Sequence, residues 1–231
     1  MAYTNEIIKK RLDSLNQYAS ELSKSAVWSG SGEPVAMPKM DEEDSQTSYI
    51  YEFYVALRIL SDLIRSYHIE LTNYWEPIFP KAPGKKEKFP YFLLYQNGEL
   101  KFQFCLGTGI VTQDKELAYP DISIQIAEAT VEPNHEDVVM VFDAKYKENA
   151  EGRLSRADYA KVFDFVDSLD CDYIPQLELN FHEFSGDNSL NGNFVITNGQ
   201  GYKEDNQQMH ERKGLKELVR FDVNRDYKVC H

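Results

Sequence analysis

Between Val138 and Lys145 the chain reads Val-Val-Met-Val-Phe-Asp-Ala-Lys, an apolar, largely β-branched stretch interrupted only near its end by an acid and a base. Such a run reads as a β-strand. Side chains alternate along a strand with period two, so Asp143 and Lys145 share one face of it. A lone carboxylate inside an apolar strand is costly unless it is paired or ligated. Asp143 is therefore either a cap at the strand end or part of a site. Upstream, Tyr119-Pro120-Asp121 precedes Ile122, Ile124 and Ile126. Proline suits a strand start because it cannot donate to a ladder, which places Asp121 at the mouth of a second strand and not inside a loop.

The segments around these two strands set the expected architecture. Ile8, Leu12, Leu15, Ala19, Leu22 and Ala26 recur at spacings of three and four, the stripe of an amphipathic helix over residues 5–26. Residues 29–48 are small, Pro-containing and acidic and read as a linker. A second helix is expected from about Ser48, as N-cap, to Arg65. Strands are expected near 89–96, 100–106, 121–128 and 138–146, with Asn97-Gly98 as a hairpin turn between the first two. Residues 154–169 return to helical spacing, two short strands follow at 174–181 and 193–197, and a helix near 211–219. This order predicts an α/β fold, a mixed central sheet flanked by helices. The expected organisation is an N-terminal helical segment over 1–28, a linker over 29–48 and one domain over 49–231.

Bulk properties narrow the function classes. No window of 18 apolar residues exists, and the N-terminus lacks a basic stretch followed by an apolar one, so no membrane span or secretory signal is expected. Cys105, Cys171 and Cys230 are widely separated without CxxC spacing, which fits a reducing cytoplasm and no zinc knuckle. The histidines show neither HxH nor HExxH spacing, no Gly-x-Ser-x-Gly elbow is present, and no phosphate-binding Gly-x-x-x-x-Gly-Lys-Ser/Thr loop occurs. The net charge of −13 argues against a strong intrinsic grip on nucleic acid. Local basic groups are still available: Lys81, Lys85, Lys86 and Lys88, then Lys145, Lys147, Arg153 and Arg156, and finally Arg212, Lys213 and Lys216. Taken one cluster at a time, ordinary solvated charge explains each of them.

A third acid joins the two on strands. Glu52 lies within Tyr49-Ile50-Tyr51-Glu52-Phe53-Tyr54-Val55-Ala56-Leu57, on the expected second helix. At roughly 100° per residue, Arg58, Ser61, Asp62 and Arg65 cluster on one side of that helix, and Glu52 falls among residues that should face the core. On this helix alone, a core Arg or Tyr hydroxyl would explain Glu52 as well as a metal does. With Asp121 and Asp143 also pointing inward, metal ligation explains more. Mg²⁺ prefers carboxylate, carbonyl and water oxygens. Asp121 and Asp143 would hold it, with Glu52 direct or through water and the main-chain carbonyl of Ala144 adding another oxygen. Lys145 would orient the attacking water and stabilise charge developing on phosphorus.

These residues carry a family resemblance. Glu52 on a helix, Tyr119-Pro120-Asp121 and Asp143-Ala144-Lys145 resemble the motifs of the PD-(D/E)XK nuclease superfamily. The longer string Phe142-Asp143-Ala144-Lys145-Tyr146-Lys147 is similar to nuclease domains of modification-dependent restriction and phage-defence proteins. The likeness covers roughly residues 49–170. It implies the restriction-endonuclease-like core, in which a helix precedes a mixed four-stranded sheet and another helix is inserted before the last strand. It implies a Mg²⁺-dependent endonuclease of DNA, Mn²⁺ substituting, in a bacterial or phage defence system. Lys147, Arg153, Arg156 and Lys161, in and before the helix that follows, would contact nucleic acid. A homodimer, or a protein partner supplying specificity or a motor, is consistent with this reading.

Three alternatives stay open. A ribonuclease would use the same residues. A catalytically silent member of the fold, serving binding or assembly, suits the acidic charge but leaves four costly groups in place. A carboxylate-metal phosphohydrolase of small molecules would cleave model phosphoesters and no polymer.

Overall fold

The computed structural model describes residues 43–72, 83–89, 91–148, 151–169, 174–202, 215–222 and 227–230. In chain order these form α1 (Glu43–Leu63), β1 (His68–Thr72), β2 (Tyr91–Gln96), β3 (Glu99–Leu106), β4 (Ile110–Val111), β5 (Leu117–Ala118), β6 (Ile122–Ile126), β7 (Val138–Lys145), α2 (Arg156–Ser168), β8 (Asn193–Thr197), β9 (Leu215–Val219) and β10 (Lys228–Cys230). The expected helix over 5–26 and most of the linker lie outside the described residues.

Eight strands make one mixed sheet in the order β1-β2-β3-β6-β7-β8-β9-β10, and β4 and β5 pair apart from it. From β1 to β7 every neighbouring pair is antiparallel. The turn between β2 and β3 has φ of 54° at Asn97 and 81° at Gly98, the left-handed values that a two-residue hairpin turn requires. At β7 the pairing changes from antiparallel to parallel. β7, β8 and β9 run parallel, because β7 and β8 are joined through α2 and not through a hairpin. β10 closes the sheet antiparallel to β9.

The two helices cover opposite faces. Met140, Phe142, Ala144, Phe194 and Ile196 share a core with Tyr51, Val55, Ile59 and Leu63 of α1. Val141 and Val195 share a second core with Tyr159, Val162 and Val166 of α2. β7 is thus buried on both faces, which is why its sequence is nearly continuous in apolar residues. The architecture is α/β with a large mixed central sheet.

Several local expectations change. Glu43–Ser48, expected to belong to the linker, is helical, so Ser48 lies inside α1 and is not its N-cap. Residues 174–181 form no strand: Pro175–Leu177 is a single 3₁₀ turn. Pro175 has no N–H to give a ladder, and the Asn191 side chain takes both Leu179 N–H and Leu179 C=O (2.8 and 3.0 Å) in place of a neighbouring strand. Residues 215–219, expected as helix, are β9. Leu215, Leu218 and Val219 fit helical and strand spacing alike in so short a run, and pairing with β8 decides between them.

The polar side of α1 is the largest correction. Arg58 and Asp62 do not face solvent; each is 3% exposed. Asp62 accepts backbone N–H groups from His182, Glu183 and Phe184. Arg58 Nη2 donates to Glu183 Oε1 at 2.8 Å. The stretch between α2 and β8 folds over this side of the helix.

Candidate active site

β6 and β7 bring the first two acids together. Ile122 pairs with Phe142 in an antiparallel register, so one step outward Asp121 lies across from Asp143. Asp121 is fixed at both its ends. Its carbonyl accepts Gly107 N–H (2.8 Å) and its Oδ2 accepts Ala144 N–H (2.8 Å). Ala144, expected from the sequence to offer its carbonyl, holds Asp121 through its amide.

Asp143 is 0% exposed, its Oδ1 accepts no hydrogen bond, and its Oδ2 meets only the Lys145 ammonium. The Lys145 ammonium, on the same strand face, forms an ion pair with Oδ2. A wholly buried carboxylate normally takes several donors. One held by a single lysine beside a second carboxylate is an unfavourable arrangement in a resting protein.

Glu52 completes the field from α1. It is half-buried. Burial raises its carboxyl to about 7, helped by the Asp143 charge and opposed by Lys145 and Lys161. Burial likewise holds the Asp121 carboxyl well above its ordinary value; Asp143 and Glu52 add to the effect, whereas Lys145 and the Ala144 N–H oppose it. Burial alone would lower the Lys145 ammonium, but Asp143, Asp121 and Glu52 outweigh it and hold the lysine above its ordinary value. Glu52, Asp121, Asp143 and Lys145, selected on sequence spacing, therefore form one electrostatic unit.

The remaining sequence-selected residues divide. Lys161 is exposed on α2 and close enough to lower the Glu52 carboxyl. Arg156, the first residue of α2, is exposed. Arg153 is exposed and bridges backbone to Gln200, with its guanidinium reaching Gly201 C=O at 3.4 Å. Lys147 is engaged within the protein: Nζ meets Asp158 Oδ2 at 2.6 Å. Its main chain is clamped by Asn198, which accepts Lys147 N–H (2.7 Å) and donates to Lys147 C=O (2.8 Å).

Asn198 and Asp158 were not selected from the sequence. Asp158 carried a weak local signal, since Ser155 and Asp158 form a reciprocal capping box at the start of α2. Asn198 carried none, as it becomes a partner of Lys147 only through the β7–β8 pairing.

Among the described residues, no three His, Cys, Asp or Glu side chains stand close enough to form a ready-made metal cage. The donors present are hard carboxylate oxygens, and of the two buried Asp143 oxygens one meets only Lys145 and the other has no hydrogen-bond partner. That set fits Mg²⁺ or Mn²⁺, because Mg²⁺ is usually held by one or two carboxylates and keeps several waters. It lacks the His or Cys that the common zinc sites include. No family model, curated protein or solved structure matches this chain.

Proposed function

We propose that this chain is a divalent-cation-dependent nuclease that hydrolyses phosphodiester bonds, with DNA as its substrate. The observation that carries the reading is Asp143, wholly buried, unbonded at both carboxylate oxygens except for the Lys145 ion pair, and set across from Asp121. Such a cluster is hard to justify by stability, since burying like charges costs free energy. Perturbed carboxylates grouped in this way are a mark of functional sites. The order α1, antiparallel β3–β6–β7, α2 and a parallel β8 supports a restriction-endonuclease-like core.

Asp121 and Asp143 would hold the cation, with Glu52 contributing from α1. When bound, the cation supplies Lewis-acid charge and a more acidic water. The Ala144 N–H keeps Asp121 Oδ2 in place, so the other oxygen of Asp121 is left to bind. Lys145, paired with Asp143 in the free protein, would stabilise negative charge developing on the scissile phosphate. Arg156 and Lys161 line the approach over α2. With Lys147 held by Asp158 and a net charge of −13, intrinsic affinity for the polymer is weak and a protein partner delivers the substrate. A role in bacterial or phage defence and a cytoplasmic setting belong to this reading.

The test is cleavage of plasmid, single-stranded DNA and RNA with Mg²⁺ or Mn²⁺, comparing wild type, Asp143→Ala and Lys145→Ala, alongside calorimetric titration of Mn²⁺. Metal-dependent cleavage lost in both variants is expected. Absence of Mn²⁺ binding by wild type would remove the enzymatic reading.

A further inference from the structure

Four polar side chains lie in a band along α1: Tyr51, Tyr54, Arg58 and Asp62. At 100° per residue they fall within about 80° of one another, over roughly 16 Å of helix. All four are 3% exposed or less, and each engages chain that follows β7. Tyr51 hydroxyl donates to Phe221 C=O at 3.0 Å, and Tyr54 hydroxyl to Asp222 C=O at 2.8 Å. Arg58 donates to the Tyr54 hydroxyl (2.7 Å) and to Glu183, and stacks 4.9 Å over the Phe221 ring. Asp62 accepts the three N–H groups of 182–184.

The anchor at Phe221 belongs to the same end of the sheet as the candidate site. Phe221 N–H donates to Thr197 C=O at 2.9 Å, and Thr197 is the register partner of Lys145. The Tyr51 ring also packs 5.9 Å from that of Tyr146, the residue after Lys145. Glu52 is the next residue along α1, about 100° round from Tyr51. Apolar packing alone lets a helix roll on a sheet, whereas directional hydrogen bonds along one band fix both rotation and height. A roll of 20° would carry a side-chain tip, roughly 6 Å from the helix axis, by about 2 Å. Groups of a binding constellation, direct or through water, must be held within about 0.5 Å.

We propose that Tyr51, Tyr54, Arg58 and Asp62 are positioning residues that set the rotation of α1 so that Glu52 reaches, through bound water, the cation held by Asp121 and Asp143. This rests on the nuclease reading above. The band acts through Glu52 and touches neither the metal nor the substrate.

A double-mutant cycle on the full chain tests it. Mn²⁺ affinity is measured by calorimetry for wild type, Tyr51→Phe, Glu52→Gln and the double variant, with a thermal melt of each. Tyr51→Phe keeps the ring and removes one hydrogen bond; it should weaken Mn²⁺ roughly 10-fold, as loss of an orienting partner does. In the Glu52→Gln background the same change should leave Mn²⁺ affinity unaltered, because the route runs through Glu52. Equal loss in both backgrounds, or loss in neither, overturns the proposal while leaving the nuclease site standing. Wild type that binds no Mn²⁺ overturns both. Should Tyr51→Phe fail to fold, Tyr54→Phe, three residues along the band, gives the same comparison with the same outcomes.

Discussion

Asp62 and Asp143 are the same residue type, almost equally buried at 3% and 0% exposed, and opposite in circumstance. Asp62 collects three backbone N–H groups and closes the loop over α1. Asp143 collects none and leans on one lysine in a field of two further carboxylates. Desolvation costs both of them heavily; only Asp62 is repaid inside the resting protein. A buried acid with its donors in place is architecture; one without them is, on the proposed nuclease reading, a cation ligand.

The strongest way to break this contrast is activity. Asp143→Asn and Lys145→Ala should each lower Mn²⁺-dependent cleavage by roughly 10²–10³, read as initial rates on plasmid. Asp143→Asn should also abolish Mn²⁺ binding, whereas Lys145→Ala should largely retain it. Unchanged cleavage in Asp143→Asn would mean that Asp143 is merely a strained core residue, and in Lys145→Ala that the lysine only neutralises it.

Stability comes next, with opposite signs. Asp62→Asn removes a charge that backbone donors hold and should destabilise by about 2–4 kcal/mol in chemical denaturation. Asp143→Asn relieves like-charge repulsion and should raise the melting temperature of the metal-free protein at pH 8. The same substitution giving the same sign at both positions would dissolve the distinction.

A third buried acid calibrates the other two. Glu217 is 2% exposed, and its carboxyl is raised to about 7 by burial, against the Tyr202 N–H that it accepts. Because the folded value lies above the unfolded one, its contribution is fully present below the unfolded value and is lost as pH rises through about 7. Glu217→Gln should therefore flatten the stability profile between about pH 5 and 8 and gain up to roughly 3 kcal/mol at its upper end. A profile parallel to wild type would show that Glu217 titrates as an ordinary carboxyl.

The smallest effects concern the basic groups. Lys161→Ala, on the exposed face of α2 near Glu52, should weaken DNA binding a few-fold and reduce its salt dependence by about one counterion. Lys147→Met should leave the salt slope unchanged and lower stability by about 1 kcal/mol, since its ammonium is bound to Asp158. A salt slope that falls for Lys147→Met would return that residue to the nucleic-acid surface.

Much of the scaffold was legible from local signals. The Asn97-Gly98 hairpin, β7 and α2 follow from turn chemistry and from periods of two and 3.6, each written within a dozen residues. The errors fell where the local pattern was degenerate. Leu215–Val219 fits either period, and 174–181 is apolar enough for a strand but contains Pro175. Arg58 and Asp62 were legible only as one polar side of a helix, because nothing near them in sequence announces the loop at 182–184 that buries them.

By itself, the sequence singled out Glu52, Asp121, Asp143 and Lys145 as candidates and determined that Asp143 and Lys145 share a face, since alternation along a strand is a property of the backbone alone. Only the tertiary structure decided which acids meet. Asp121 faces Asp143 through the β6–β7 register, Glu52 enters their field through the seating of α1, and Asn198 reaches Lys147 through β8. Those are contacts between residues far apart in the chain, set by burial and pairing of whole elements, and no local pattern encodes them.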